Sequence, residues 1–124
     1  MIPKILGVDF DDTIFTGGYP TSEKPNWPII DYIKTRQAQG WYTILVTCRH
    51  SKDDVKEAIA KCEDVGIRID LVNENHPEVI EKFGDCRKIF CNEYIDDKNL
   101  SVSEIEHRYW KVRARMADEW SRAT

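Results

Sequence analysis

The sequence predicts an α/β domain with a parallel sheet covered by helices on both faces, and three observations predict it. Short apolar runs alternate with amphipathic segments from end to end, the pattern of strands joined by crossover helices. The runs are continuously apolar rather than alternating, as strands buried on both faces are. Polar residues stand at the end of each run, where ligands bind in open α/β sheets.

Ile5–Val8 is the first strand. Pro28 to Gln39 is a helix: proline suits its first turn, Ile29, Ile30 and Ile33 share a side, and Gly40 stops it. The β-branched and aromatic run Trp41–Val46 is the second strand. Ser51 caps the next helix, whose Val55, Ile59, Cys62 and Val65 recur at helical spacing before Gly66. Ile67–Val72 gives a third strand. Pro77 opens a short helix through Val79, Ile80 and Phe83 that closes at Gly84. Glu93–Asp96 is the fourth strand, with Glu93 as its weak member. Ser101 and Glu104 form a capping box for a long last helix with the stripe Val102, Ile105, Tyr109, Val112, Met116 and Trp120.

With 124 residues, no repeat and no linker, a single domain is expected over 1–124. The net charge of −4 argues against broad nucleic-acid binding. The chain enters its first strand at once, without a signal peptide or a membrane-length apolar stretch, so a cytoplasmic location is expected. Cys48, Cys62, Cys86 and Cys91 lack paired metal spacing and are expected to be reduced; the Cys86–Cys91 gap is a weak zinc signal. His50, His76 and His107 read as surface residues. The four tryptophans read as packing residues, with a homodimer contact as the consequence if the last helix exposes Trp110 and Trp120.

Chemistry concentrates at the strand ends. The first strand ends in Asp9, Asp11, Asp12 and Thr13, the second in Thr47-Cys48-Arg49, the third in Asn73-Glu74-Asn75 and the fourth in Asp96-Asp97-Lys98-Asn99. Two carboxylates about 4 Å apart repel by roughly 4 kcal/mol at an effective dielectric of 20, so such a cluster needs a cation or a shared proton. Asp9 and Asp11, two apart on an extended chain, point to one side, while Asp12 serves a turn. A nucleophile and an acid/base, both leaning on Mg2+, fit that pair, with Asp96 or Asp97 as third carboxylate. Thr47 and Lys88 can hold phosphoryl oxygens, and Cys48 and Arg49 lie beside them.

Asp9-Phe10-Asp11-Asp12-Thr13 resembles the first motif of the haloacid dehalogenase-like (HAD) superfamily, Asp-x-Asp-x-Thr after an apolar strand. Leu45-Val46-Thr47 resembles its second motif and Tyr94-Ile95-Asp96-Asp97 its fourth, in the family's order from Ile5 to Asn99. The resemblance implies a Mg2+-dependent phosphatase or phosphotransferase on a three-layer Rossmann-like sheet. Asp9 would form an aspartyl phosphate and Asp11 would protonate the leaving group, then activate water. Thr47 and a lysine would bind the phosphoryl group. Asp9, the backbone carbonyl of Asp11 and one of Asp96 and Asp97 would hold the metal, with Asp96 preferred. Lys88 is chosen as the lysine because it precedes Ile89-Phe90, with Lys82 and Arg87 as alternatives. No cap domain fits between the strands, so the site is expected to be open, with a small flap at Phe15–Pro20 hinged on Gly17-Gly18.

Three other functions compete. A receiver-type signalling domain would carry its phospho-acceptor at the end of the third strand, where Asp70 lies inside it. A binding module would have lost the acidic residues, and a Mg2+-dependent nuclease would not need Asp9 as nucleophile. Among sugar phosphates, nucleotides, phosphoproteins and nucleic-acid ends the sequence does not choose.

Overall fold

The computed structural model describes residues 1–123. Four strands, β1 (Ile5–Val8), β4 (Tyr42–Leu45), β5 (Leu71–Val72) and β6 (Glu93–Ile95), form one parallel sheet in the order β5-β4-β1-β6. A second, two-stranded sheet pairs β2 (Phe15–Thr16) with β3 (Lys24–Pro25). The helices are α1 (Trp27–Ala38), α2 (Lys52–Asp64), α3 (Pro77–Phe83) and α4 (Val102–Ala123).

Apolar side chains on the two sides of the pleat explain the layering. Leu6, Val8 and Leu45 face Ile30 and Ile33 of α1 and Ala58 and Cys62 of α2, with Phe10, Ile14 and Ile67 completing the cluster. Burying each such isoleucine contributes about 1.5–3 kcal/mol. Ile5 and Ile44 point the other way, onto Val79 of α3 and Cys91. Gly7 lies where that second layer comes closest: a Cβ there would meet the Cys91 sulfur at 2.5 Å. The fold is therefore α/β with a parallel sheet, as the alternation predicts.

The element boundaries follow the expected caps. Ser51 accepts from the Asp54 N–H at 3.1 Å, and Gly84 ends α3. His76, expected on the surface, caps α3 by accepting from the Glu78 N–H at 3.1 Å. The third strand is shorter than the expected Ile67–Val72. The Asp70 carboxylate takes the Thr43 N–H at 2.8 Å, so a side chain replaces the backbone partner there. Glu93 stands in β6 because Arg36 grips it with two nitrogens, at 3.0 and 2.8 Å, and Tyr32 donates to it at 2.6 Å.

Two expectations are corrected. The Phe15–Pro20 segment is not a free loop but the start of the β2–β3 hairpin. Its Gly17 and Gly18 take positive φ, and its tip is pinned where Gly18 N–H donates to Asp12 at 3.0 Å and Tyr19 donates to Asp54 at 2.8 Å. Trp27, Trp110 and Trp120 are exposed, Trp110 lying edge-on to Tyr109, and Trp41 is the tryptophan that borders the core. No described residue of α4 is buried. Among the described residues, no helix is long and apolar enough to cross a membrane.

Candidate active site at the strand ends

The strand order fixes where a site can form. The chain steps outward from β1 to β4 and β5, then returns to the far side of β1 with β6. The connections leaving β1 and β6 therefore diverge, and a crevice opens at their carboxyl ends. Val8 is level with both Leu45 and Ile95, and the Asp9 N–H continues the ladder to the Ile95 carbonyl at 2.9 Å. Asp9 and Asp96 thus emerge side by side.

Asp9, Asp96 and Asp97 each present a carboxylate oxygen within 4.8 Å of the others. Partial burial pushes Asp9 up to about 6, and the charges of Asp96 and Asp97 push the same way. Thr13 opposes this shift: its Oγ1 donates to Asp9 Oδ2 at 3.1 Å. The same oxygen accepts the Asp97 N–H at 3.1 Å, so one buried hydroxyl joins the loops after β1 and β6. Lys98 pairs with Asp97 at 2.9 Å and holds its carboxyl below the usual range. Three carboxylates gathered at this spacing could hold a metal ion.

Asp11 has different company. After Phe10 the chain turns, with Asp12 at φ 61°, and Asp12 serves the turn as expected. The turn carries the Asp11 carboxylate to Arg49, whose Nε and Nη2 donate at 3.0 and 2.9 Å, and to Ser22, which donates at 2.5 Å. The Arg49 guanidinium holds the Asp11 carboxyl below its ordinary range. Asp11 lies outside the group of three carboxylates, but it lines a cavity of about 420 Å³ together with Asp9, Tyr19, Cys48, Arg49 and Lys98. Arg49 is expected either at a substrate anion or as a surface residue; here its side chain is 1% exposed, lies over the rings of Phe10 and Tyr19, and is committed to Asp11 and the Asp54 carbonyl.

Lys88 lines a second cavity, of about 290 Å³, with Asp9, Val46, Tyr94, Asp96 and Asn99. Lys82 borders a different cavity beside Met1 and Glu78, and Arg87 a third beside Asn73 and Asp85, so position favours Lys88. Thr47 follows β4, and its hydroxyl accepts the Arg49 N–H at 3.1 Å, which leaves its proton to donate. Asn73 pins that loop from β5, accepting from the Thr47 N–H at 2.9 Å and donating to the Thr47 carbonyl at 2.8 Å. Cys86 and Cys91 belong to no metal-ligand group among the described residues, and burial pushes the Cys91 thiol up to about 11.

No family model matches the chain, and no curated protein matches it. A solved structure of a conserved protein from Bacteroides thetaiotaomicron is similar. It aligns with a TM-score of 0.66 and 26% identity over 90% of this chain and 93% of that one. The likeness supports the α/β layout over nearly the whole length of both chains.

Asp9, Asp96, Asp97 and Lys98 are legible in the sequence at one edge of the sheet, whereas the Lys98–Asp97 ion pair and the Ser22–Asp11 hydrogen bond emerge only in the structure. The adjacency of Lys98 to the Asp96-Asp97 pair is the signal for the first; nothing in the local sequence of Ser22 ties it to Asp11.

Proposed function

We propose that the chain is a capless member of the HAD-like superfamily and a Mg2+-dependent phosphomonoester hydrolase working through an aspartyl phosphate on Asp9. The observation that carries the reading is the meeting of Asp9 with Asp96 and Asp97 across the crevice where the strand order reverses. Asp9 attacks phosphorus through a carboxylate oxygen, forming an O–P bond as the bond to the leaving oxygen breaks. Water then attacks the same phosphorus, Asp11 takes its proton, and the Asp9–phosphorus bond breaks to release phosphate. Lys88 and Lys98 line cavities that Asp9 also lines, which supports them as the cations that hold the phosphoryl oxygens, with Thr47 as the hydroxyl that the family resemblance implies.

Asp9, Asp96 and Asp97 would hold Mg2+, with the Asp11 backbone carbonyl as the further ligand that the family resemblance implies. When bound, the ion supplies positive charge that offsets carboxylate repulsion and the charge building on phosphorus. Arg49 keeps Asp11 ionised, the state a base needs, while it lowers the carboxylate's affinity for the proton it must take.

The test is hydrolysis of an aryl phosphate by the purified chain with Mg2+. Activity is expected, and both a chelator and Asp9→Asn abolish it. Turnover that survives Asp9→Asn overturns the covalent route. Transfer to an acceptor other than water is the related alternative, and labelled phosphate appearing on an added alcohol would reveal it.

A further inference from the structure

Helix α4 is 22 residues long, about 33 Å, and every described residue on it is exposed. Val102, Ile105, Tyr109, Val112 and Met116 follow one another at intervals of three, four, three and four. These five side chains are 45% to 72% exposed. That spacing keeps an apolar seam on one side of a helix and matches a second helix wound against it. In proteins most of the stability of such a helix comes from packing of its apolar face rather than from propensity.

We propose that α4 pairs antiparallel with α4 of a second copy of this chain, forming a two-fold dimer. Charge selects both the occupant and the direction. Glu106 and Arg113 flank the seam on one side, Arg108 and Arg115 on the other. With Tyr109 facing the partner's Val112, Glu106 lies against the partner's Arg113, and symmetry makes this pair twice. Arg108 then faces the partner's Arg115, but Arg108 is already paired with Glu104 at 3.0 Å. A parallel pair would instead set Arg108 against the partner's Arg113 on both sides and leave Glu106 without a cation.

The bodies point the same way. Residues 1–100 hold 18 acidic and 13 basic side chains. A parallel pair would crowd two acidic bodies at one end of helices 8–10 Å apart, whereas an antiparallel pair sets them at opposite ends. The contact is a strip about one helix wide, at the small end of stable interfaces, so the dimer dissociates on dilution.

Sedimentation of the full chain tests this. A monomer–dimer equilibrium is expected, and Ile105→Asp with Val112→Asp yields a monomer whose body stays folded, since α4 buries nothing in it. Glu106→Arg and Arg113→Glu are each expected to weaken the dimer roughly tenfold, and the two together to restore it. A chain that is monomeric at every concentration to about 200 μM overturns the proposal, as does a dimer indifferent to the Asp substitutions. Failure of the double reversal to restore pairing overturns the antiparallel register. A monomer that sediments with phosphatidylserine vesicles assigns the seam to a membrane surface instead.

Discussion

Arg49 and Asp11 meet through two parallel hydrogen bonds, at 3.0 and 2.9 Å, although 38 positions separate them in the chain. The pair spans from the turn after β1 to the loop after β4, and the guanidinium lies 4.9 Å from the centre of the Phe10 ring and 5.2 Å from that of Tyr19. Removing one partner strands the other. Arg49→Ala is expected to cost about 3 kcal/mol of folding stability, measured by denaturant unfolding. Arg49→Lys, which keeps the charge but loses the fork, should cost less.

The same pairing bears on which substrates turn over. An Asp11 held ionised donates a proton poorly, so leaving groups that depart without one are favoured. Under the proposed mechanism, aryl phosphates should exceed alkyl phosphates by about 10²-fold or more in kcat/KM. Equal rates for the two classes would show that Asp11 leaves Arg49 during turnover.

Asp9 gives a pH dependence of known sign. Its folded value of about 6 lies above the ordinary 3.8, so between those values the folded chain binds more protons than the unfolded one. Stability therefore falls as pH rises from about 4 to about 6, on the order of 1 kcal/mol because the group is partly solvated. Mg2+ competes with that proton, so its stabilising effect should be small below pH 5 and grow through pH 6. Thermal unfolding with and without Mg2+ reads both effects, and Asp9→Asn should flatten them.

Thr13→Val keeps the shape of the side chain and removes both bonds that join Asp9 to the Asp97 N–H. The variant should lose about 1–2 kcal/mol. It should also shift the Asp9 titration upward, because Thr13 now lowers it. Mg2+ titration followed by calorimetry should show weaker binding.

Gly7→Ala drives a methyl into the Cys91 sulfur, 2.5 Å from the ideal Cβ. A loss of about 1–3 kcal/mol is expected from overpacking. Cys91→Ala in the same chain should recover part of it, since the Cys91 Cβ lies at an ordinary 3.5 Å. If the two losses simply add, the clash is relieved by a backbone shift instead.

Local signals carried the fold well and the site in part. Caps such as Ser51 and Gly84 act within a turn, so they were readable at their own positions. The shortening of β5 was not, because it depends on Asp70 reaching across to Thr43. The β2–β3 hairpin was hidden for a similar reason: two residues per strand leave no period to read. At the site, Asp9 and the Asp96-Asp97 pair announced themselves as charge beside apolar strands. The partnering of Arg49 was invisible, since an arginine after a strand looks alike whether it awaits an anion or already holds one. In α4 the period of the seam was plain, and only the structure shows that the body leaves it uncovered.

The hydroxyl of Thr13 links Asp9 to Asp97, which lies 84 positions beyond the threonine. Until β6 docks beside β1, the three carboxylates have no reason to be near one another, and their charges oppose it. The apolar strands supply the free energy for that meeting, so the anionic pocket exists only while β6 is docked beside β1. Loss of the pocket would therefore report that β6 has left β1, even where the rest of the sheet stands.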